Sequence, residues 1–137
     1  REMIALGAKQ KKSIIFEAEL LAMVLAMSVF KPYIAHCPLL VFIDNNSVRD
    51  VAISGKARCG AAIKMVEYLL RLEDTSAVWP WYSRVPSESN PSDLPSRQAC
   101  EHVCINGREV RVTSVTDELE KLFAEMSLVE HASDINA

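Results

Sequence analysis

Leu39-Leu40-Val41-Phe42-Ile43-Asp44-Asn45-Asn46-Ser47 is the stretch on which the reading of this chain turns. Five apolar residues in succession predict a short strand covered on both faces. An acid followed by three small polar residues ends it abruptly. That acid stands at the C-terminal tip of the strand, the edge at which open α/β sheets place their ligands. Ser47 is expected to cap a short following helix, with Asp50 as its capping-box partner.

Upstream, Glu17 to Phe30 consists of helix formers and apolar residues apart from Ser28, and Pro32 is expected to close the segment. Apolar residues lie nearly all round this helix, so burial on most sides is expected. Ile14, Ile15 and Phe16 either finish a strand or staple the helix start. Downstream, Gly55 and Gly60 bracket a loop carrying Lys56 and Arg58. A helix from Ala61 to Glu73 then turns Ile63, Val66, Leu69, Leu70 and Leu72 inward and Lys64, Glu67, Arg71 and Glu73 to water; Asp50 is likewise assigned to a solvated face. Val78 to Val85 reads as a strand or strand pair. Trp79, Trp81 and Val85 share one parity there as core or strand-face residues, and Pro80 makes it an edge or bulged strand. Residues 86–97 read as loop. The Asn106-Gly107 turn with Val110-Arg111-Val112 predicts a small hairpin. Thr116 is expected to cap an amphipathic helix through Leu119, Leu122, Phe123 and Met126. The fold class is α/β, in layers.

The chain has 137 residues, half of them apolar, which suits one domain or one domain with an appendage. Its net charge of −3 gives no basic footprint of a non-specific nucleic-acid binder. Charge is divided unevenly. Residues 1–100 hold 12 Lys and Arg against 10 Asp and Glu, and residues 101–137 hold 3 against 8. Contacts to phosphate are therefore sought ahead of the acidic tail. The longest apolar run, Leu20 to Met27, is well short of the roughly 20 residues that cross a bilayer, and no secretory signal opens the chain. Cys37, Cys59, Cys100 and Cys104 then read as reduced thiols of an intracellular protein, cytoplasmic or nuclear. Cys100, His102 and Cys104, with His36 and Cys37, fit none of the usual zinc spacings. The chain opens on Arg1 rather than Met, which is read as the mark of a piece of something longer.

Three acids stand where the local pattern does not ask for them: Glu19 inside the apolar helix, Asp44 at the strand tip, and Asp93 in a Pro-rich turn. If they converge they form an oxygen-rich pocket, the chemistry of Mg²⁺ (with Mn²⁺ as a substitute). Two such ions about 3.5–4 Å apart can activate a water and stabilise the leaving oxygen of a phosphodiester. Each acid also has a purely local reading. Glu19 can be a first-turn helix carboxylate, Asp44 the start of an Asx-turn, and Asn90-Pro91-Ser92-Asp93 a helix-start box.

These residues resemble a family. Glu19-Leu20-Leu21-Ala22 is similar to the second-acid motif of ribonuclease H domains, and Val41-Phe42-Ile43-Asp44-Asn45-Asn46-Ser47 to their strand-borne third-acid motif. The stretch from Val85 through Pro86-Ser87 and Asn90-Pro91-Ser92-Asp93 to Pro95-Ser96-Arg97 resembles the fourth-acid motif of ribonuclease H-like domains that follow reverse transcriptases in retrotransposons. The resemblance covers roughly residues 14–98. It implies a three-layer fold, Mg²⁺-dependent hydrolysis of the RNA strand of RNA–DNA hybrids, and Glu19, Asp44 and Asp93 as catalytic metal ligands. In the family a first Asp lies on an initial strand of a three-strand meander ahead of the Glu-bearing helix. Only 18 residues precede Glu19 here, and none is Asp. The meander is thus expected to be absent or reduced to its last strand, and the chain to be inactive alone. Ser92 stands where Ala is commoner, and no His falls near the last acid.

A hybrid is held through shape, 2′-hydroxyls and phosphates. The groups suited to that are Asn45, Asn46, Ser47 and Arg49 beside the strand tip, Lys56 and Arg58 in the glycine loop, and Ser87, Asn90 and Arg97 near Asp93. The expected partners are an RNA–DNA hybrid and an upstream reverse-transcriptase domain, with no membrane. Residues 1–99 are expected to form the partial ribonuclease H-like domain, and residues 100–137 an acidic hairpin-and-helix extension that adds little to the active-site face, so that its deletion leaves the 14–98 core folded. Two rival readings keep the fold: a non-catalytic tethering domain of a retroelement polyprotein, and a DNA nuclease or recombinase.

Overall fold

A computed structural model describes residues 2–93, 104–105, 108–109 and 115–135, with side chains placed over 14–93 and 115–127. It is mixed α/β. The order is α1 (Glu2–Ile34), β1 (Pro38–Ile43), α2 (Asn46–Ser54), α3 (Gly60–Ser76), β2 (Trp79–Arg84), a 3₁₀ turn (Ser87–Ser89), a hairpin of β3 (Cys104–Ile105) and β4 (Arg108–Glu109), and α4 (Thr116–Ile135). Within the hairpin Cys104 pairs with Glu109 and Ile105 with Arg108, antiparallel across positions 106–107. Positions 110–112, expected to belong to it, lie outside the described residues.

α1 is far longer than the apolar run implies. Positions 2–13 are helical as well, so no strand precedes Glu19 among the described residues, and the option of a surviving last meander strand is corrected. Glu19 is a mid-helix residue rather than a first-turn one. Pro32 does not stop the helix, which continues to Ile34. A proline this close to the end removes one helical hydrogen bond, and its exposed position leaves the freed carbonyl open to water.

The core sits where one stripe of α1 meets α3 and α4. Leu20, Val24 and Met27, at spacings of four and three, pack with Ala62, Met65, Val66, Leu69 and Leu72 of α3 and with Leu122 and Met126 of α4. The Tyr68 hydroxyl lies 3.2 Å from Ser28 Oγ, tying α3 to α1; burial is the main cause that raises its pKa. Burial of α1 on most sides is not observed, since Ala22, Ala26 and Phe30 are exposed. The helix of the acidic extension places Leu122 and Met126 in the same core as Leu20 and Leu69.

β1 and β2 are parallel neighbours joined through α2 and α3, with Leu40 opposite Trp81 and Ile43 opposite Arg84. The inner face carries Leu39, Val41, Ile43 and Tyr82 against the helices. Among the described residues nothing covers the outer face, where Leu40 and Phe42 are exposed, so β1 is not seen covered on both sides. A run of five apolar residues cannot by itself distinguish these cases, because alternation is hidden when both parities are apolar. Two left-handed residues join the helix ends to the strands. His36 has φ +62° and donates its N–H to the Ser76 carbonyl at 2.9 Å, and Ala77 at φ +49° ends α3.

Leu122→Ala should destabilise the whole chain by about 2–4 kcal/mol, as read from urea unfolding followed by circular dichroism. An independent tail would leave the main transition unmoved.

Candidate functional site

Glu19, Asp44 and Asp93 line one groove of about 810 Å³. Its walls are α1, through Ala22, Met23, Ala26, Met27 and Phe30, and β1 from Leu39 to Ile43; Asn90 and Ser92 close its polar end. The groove exists because α1 spends its packing on α3, α4 and α2 rather than on β1. It opens on the edge of β1 that pairs with no strand among the described residues, the other edge holding β2. Chain direction brings the acids to one end. Asp44 follows the last residue of β1, Glu19 lies on α1 beside that tip, and Asp93 is reached through Val85, whose N–H donates to the Ile43 carbonyl at 3.0 Å.

Two asparagines hold this end together in the same manner. The Asn45 Oδ1 accepts the N–H groups of Ser47 at 2.8 Å and Val48 at 3.3 Å, capping α2, while its Nδ2 donates to Glu19 Oε2. The cap on α2 is therefore Asn45 and not Ser47. The Asn90 Oδ1 accepts from Ser92 N–H at 3.0 Å, and its Nδ2 donates to Asp44 Oδ2 at 3.2 Å. In both cases the oxygen is engaged by a turn, so the nitrogen faces the carboxylate. Asp93 donates its own N–H to the Asn90 carbonyl at 3.1 Å.

The donor set is all oxygen, which suits a hard divalent cation in kind. Its arrangement is a different matter. Among the described residues, no three His, Cys, Asp or Glu side chains form a group that could hold a metal ion. The three acids share the groove without forming a closed ligand set.

The expected substrate contacts are dispersed. Asn46 and Ser47 are exposed in the first turn of α2, and Ser87 is exposed in the 3₁₀ turn. Arg49 bonds Asp50 Oδ1 at 2.8 Å through its guanidinium. Lys56 and Arg58 are exposed but do not line the groove. Asn45 and Asn90 serve the acids and the turns, and Arg97 lies outside the described residues. Missed in the sequence were the groove walls; the signal was the pair of small residues Ala22 and Ala26, four apart on one face of α1, which line the groove.

Glu73, read as a solvated residue, is half-buried and accepts the Tyr82 hydroxyl. Burial raises its pKa above the usual 4.5, partly offset by that hydrogen bond. Burial and the adjoining carboxylate push the Tyr82 phenol upward as well.

Compared with protein-family models, curated proteins and solved structures, the chain matches none. Among the described residues no helix is long and apolar enough to cross a membrane.

Two substitutions check this account. Asn45→Asp keeps an equally good helix cap but sets a carboxylate against Glu19. It should therefore cost roughly 1–2 kcal/mol in denaturant unfolding, and an equal stability would show that the Nδ2 contact carries nothing. Glu73→Gln probes the buried acid. Because the folded pKa is raised, the native state binds the proton more tightly, and ionisation at neutral pH opposes folding. The variant should melt higher than the parent at pH 7, and the gain should vanish as the pH falls below about 4.5.

Proposed function

We propose that this chain is part of a ribonuclease H-like domain of retroelement type, whose complete form hydrolyses the RNA strand of RNA–DNA hybrids with Mg²⁺. The observation that carries the reading is the convergence of Glu19, Asp44 and Asp93. They stand 25 and 49 positions apart on three different elements, yet line one groove at the C-terminal end of β1. Local roles alone do not require three carboxylates to share a surface, and gathering like charges costs energy unless a cation or donor offsets it.

The same reading explains what the site lacks. Two-metal hydrolysis needs ligands that fix both ions, and one ion cannot both generate the nucleophile and clamp the leaving oxygen. No Asp precedes Glu19 and no strand precedes α1 among the described residues. The open edge of β1 and the groove beside it are the place for an extended segment of about five or six residues, some 17–20 Å long. Such a segment would bring the first acid to the other three.

A tethering role without catalysis has one observation in its favour. The Asn45 and Asn90 amides already satisfy Glu19 and Asp44 without a metal, so the acids have structural work in its absence.

Residues 1–137 alone should cleave an RNA–DNA hybrid in Mg²⁺ or Mn²⁺ at least about 10³-fold more slowly than a chain extended upstream by an acid-bearing strand. Asp44→Asn in the extended chain should abolish cleavage. Robust cleavage by residues 1–137 that depends on Asp44 would show that the site is already complete. An extended, folded chain that never cleaves would favour the tether.

A further inference from the structure

We propose that the outer face of the β1–β2 sheet is a self-association surface, on which a second copy of this chain packs sheet against sheet. The strand register sets Leu40 beside Trp81 and Pro38 beside Trp79, with Phe42 next along β1. Leu40, Phe42, Trp79 and Trp81 are 55%, 58%, 65% and 72% exposed, and they form one continuous array on two hydrogen-bonded strands. Taken together they leave roughly 600 Å² of apolar surface open, the upper end of what a monomer usually shows in one patch.

Composition decides the occupant. The outward residues of the two strands are Pro38, Leu40, Phe42, Trp79, Trp81 and Ser83, none of them charged. A single-stranded nucleic acid stacks on aromatic side chains that lie in a positively charged groove, and this face has no Lys or Arg. A two-fold contact sets each patch against itself, so a neutral face meets a neutral face without like-charge repulsion. Tryptophan and phenylalanine at the centre of such a patch are the side chains that dominate interface energies. Two copies in face-to-face contact would remove roughly 1,200 Å² from water, the lower bound for a specific, stable interface. An interface of that size suits a reversible dimer rather than an obligate one. It uses none of the acids; Leu40 and Phe42 also wall the groove, whereas Trp79 and Trp81 lie outside it, so the tryptophan variants test the contact separately from the nuclease reading.

The test is built into the composition, because the chain has two tryptophans and both lie on this face. Sedimentation of the full chain from about 1 to 200 µM should show a monomer–dimer equilibrium. Over the same range tryptophan emission should shift to the blue and iodide quenching should fall several-fold. The double variant Trp79→Ser, Trp81→Ser should stay monomeric with unchanged far-ultraviolet circular dichroism. Tyr33→Ser, on α1, should dimerise like the parent. Because the double variant has no tryptophan, Leu40→Ser with Phe42→Ser supplies the matching optical control, and its emission should not change with concentration. A chain that stays monomeric throughout overturns the proposal. So does a dimer whose tryptophans remain fully quenchable, or tryptophans already shielded in the monomer.

Discussion

One side-chain amide joins the three parts of the groove's polar end. Asn45 caps α2 with its oxygen and holds Glu19 of α1 with its nitrogen, while its backbone continues directly from the tip of β1. α1 has its main packing partners elsewhere, in α3, α4 and α2, so the distance between helix and strand is not set by interdigitated side chains along their length. It is set at the ends. The polar end is held by Asn45, and the opposite end by the short link 35–37 from α1 to β1, which the His36 N–H ties to the Ser76 carbonyl at the end of α3. Between these two fastenings the apolar walls remain apart, which is the origin of the groove.

A fold held this way divides its work unevenly. The stable part is helical: Leu20, Val24, Leu69, Leu72 and Leu122 bury themselves against one another without help from the sheet's outer face. Among the described residues the sheet has two strands, fewer than a sheet needs for stability of its own, and it borrows that stability from α2 and from the core on which Leu39, Val41, Ile43 and Tyr82 pack. The candidate chemistry sits at the border between the two parts. Glu19 belongs to the rigid helical body, whereas Asp44 and Asp93 belong to the strand tip and the turn beyond it.

The elements of the fold were legible where one signal dominated. The strand at 39–43, the helix beginning near Gly60 and the hairpin about 106–107 follow from apolar run, helical period and turn chemistry. That Glu19, Asp44 and Asp93 line one groove could be anticipated because each broke its local pattern, but among the described residues they do not close into a metal-holding group. Other features depended on information no local window holds. Asn45 and Ser47 are both good caps two residues apart, and the choice falls to Asn45 because its second polar atom reaches Glu19. Glu73 follows the polar parity of α3, yet Tyr82 arrives from the next strand to cover it. Exposure of Leu40, Phe42, Trp79 and Trp81 could not be read from residues that are apolar at both parities. Leu122 and Met126 gave a clear amphipathic stripe, but a stripe does not say which body it packs against.

The parallel pairing of β1 has a consequence for its individual amides. The Cys37 and Ile43 carbonyls accept from Trp79 and Val85, which fixes the odd-numbered residues of β1 as those whose backbone groups face β2. Backbone groups alternate sides along a parallel strand, so the N–H and C=O of Leu40 and Phe42 face the groove. In hydrogen–deuterium exchange β1 is then a strand of two kinetic classes. Leu39, Val41 and Ile43 hold their protons with the stability of the sheet, while Leu40 and Phe42 exchange as open amides. Any extended segment that settles into the groove would erase that two-residue alternation and turn β1 into a uniformly protected strand.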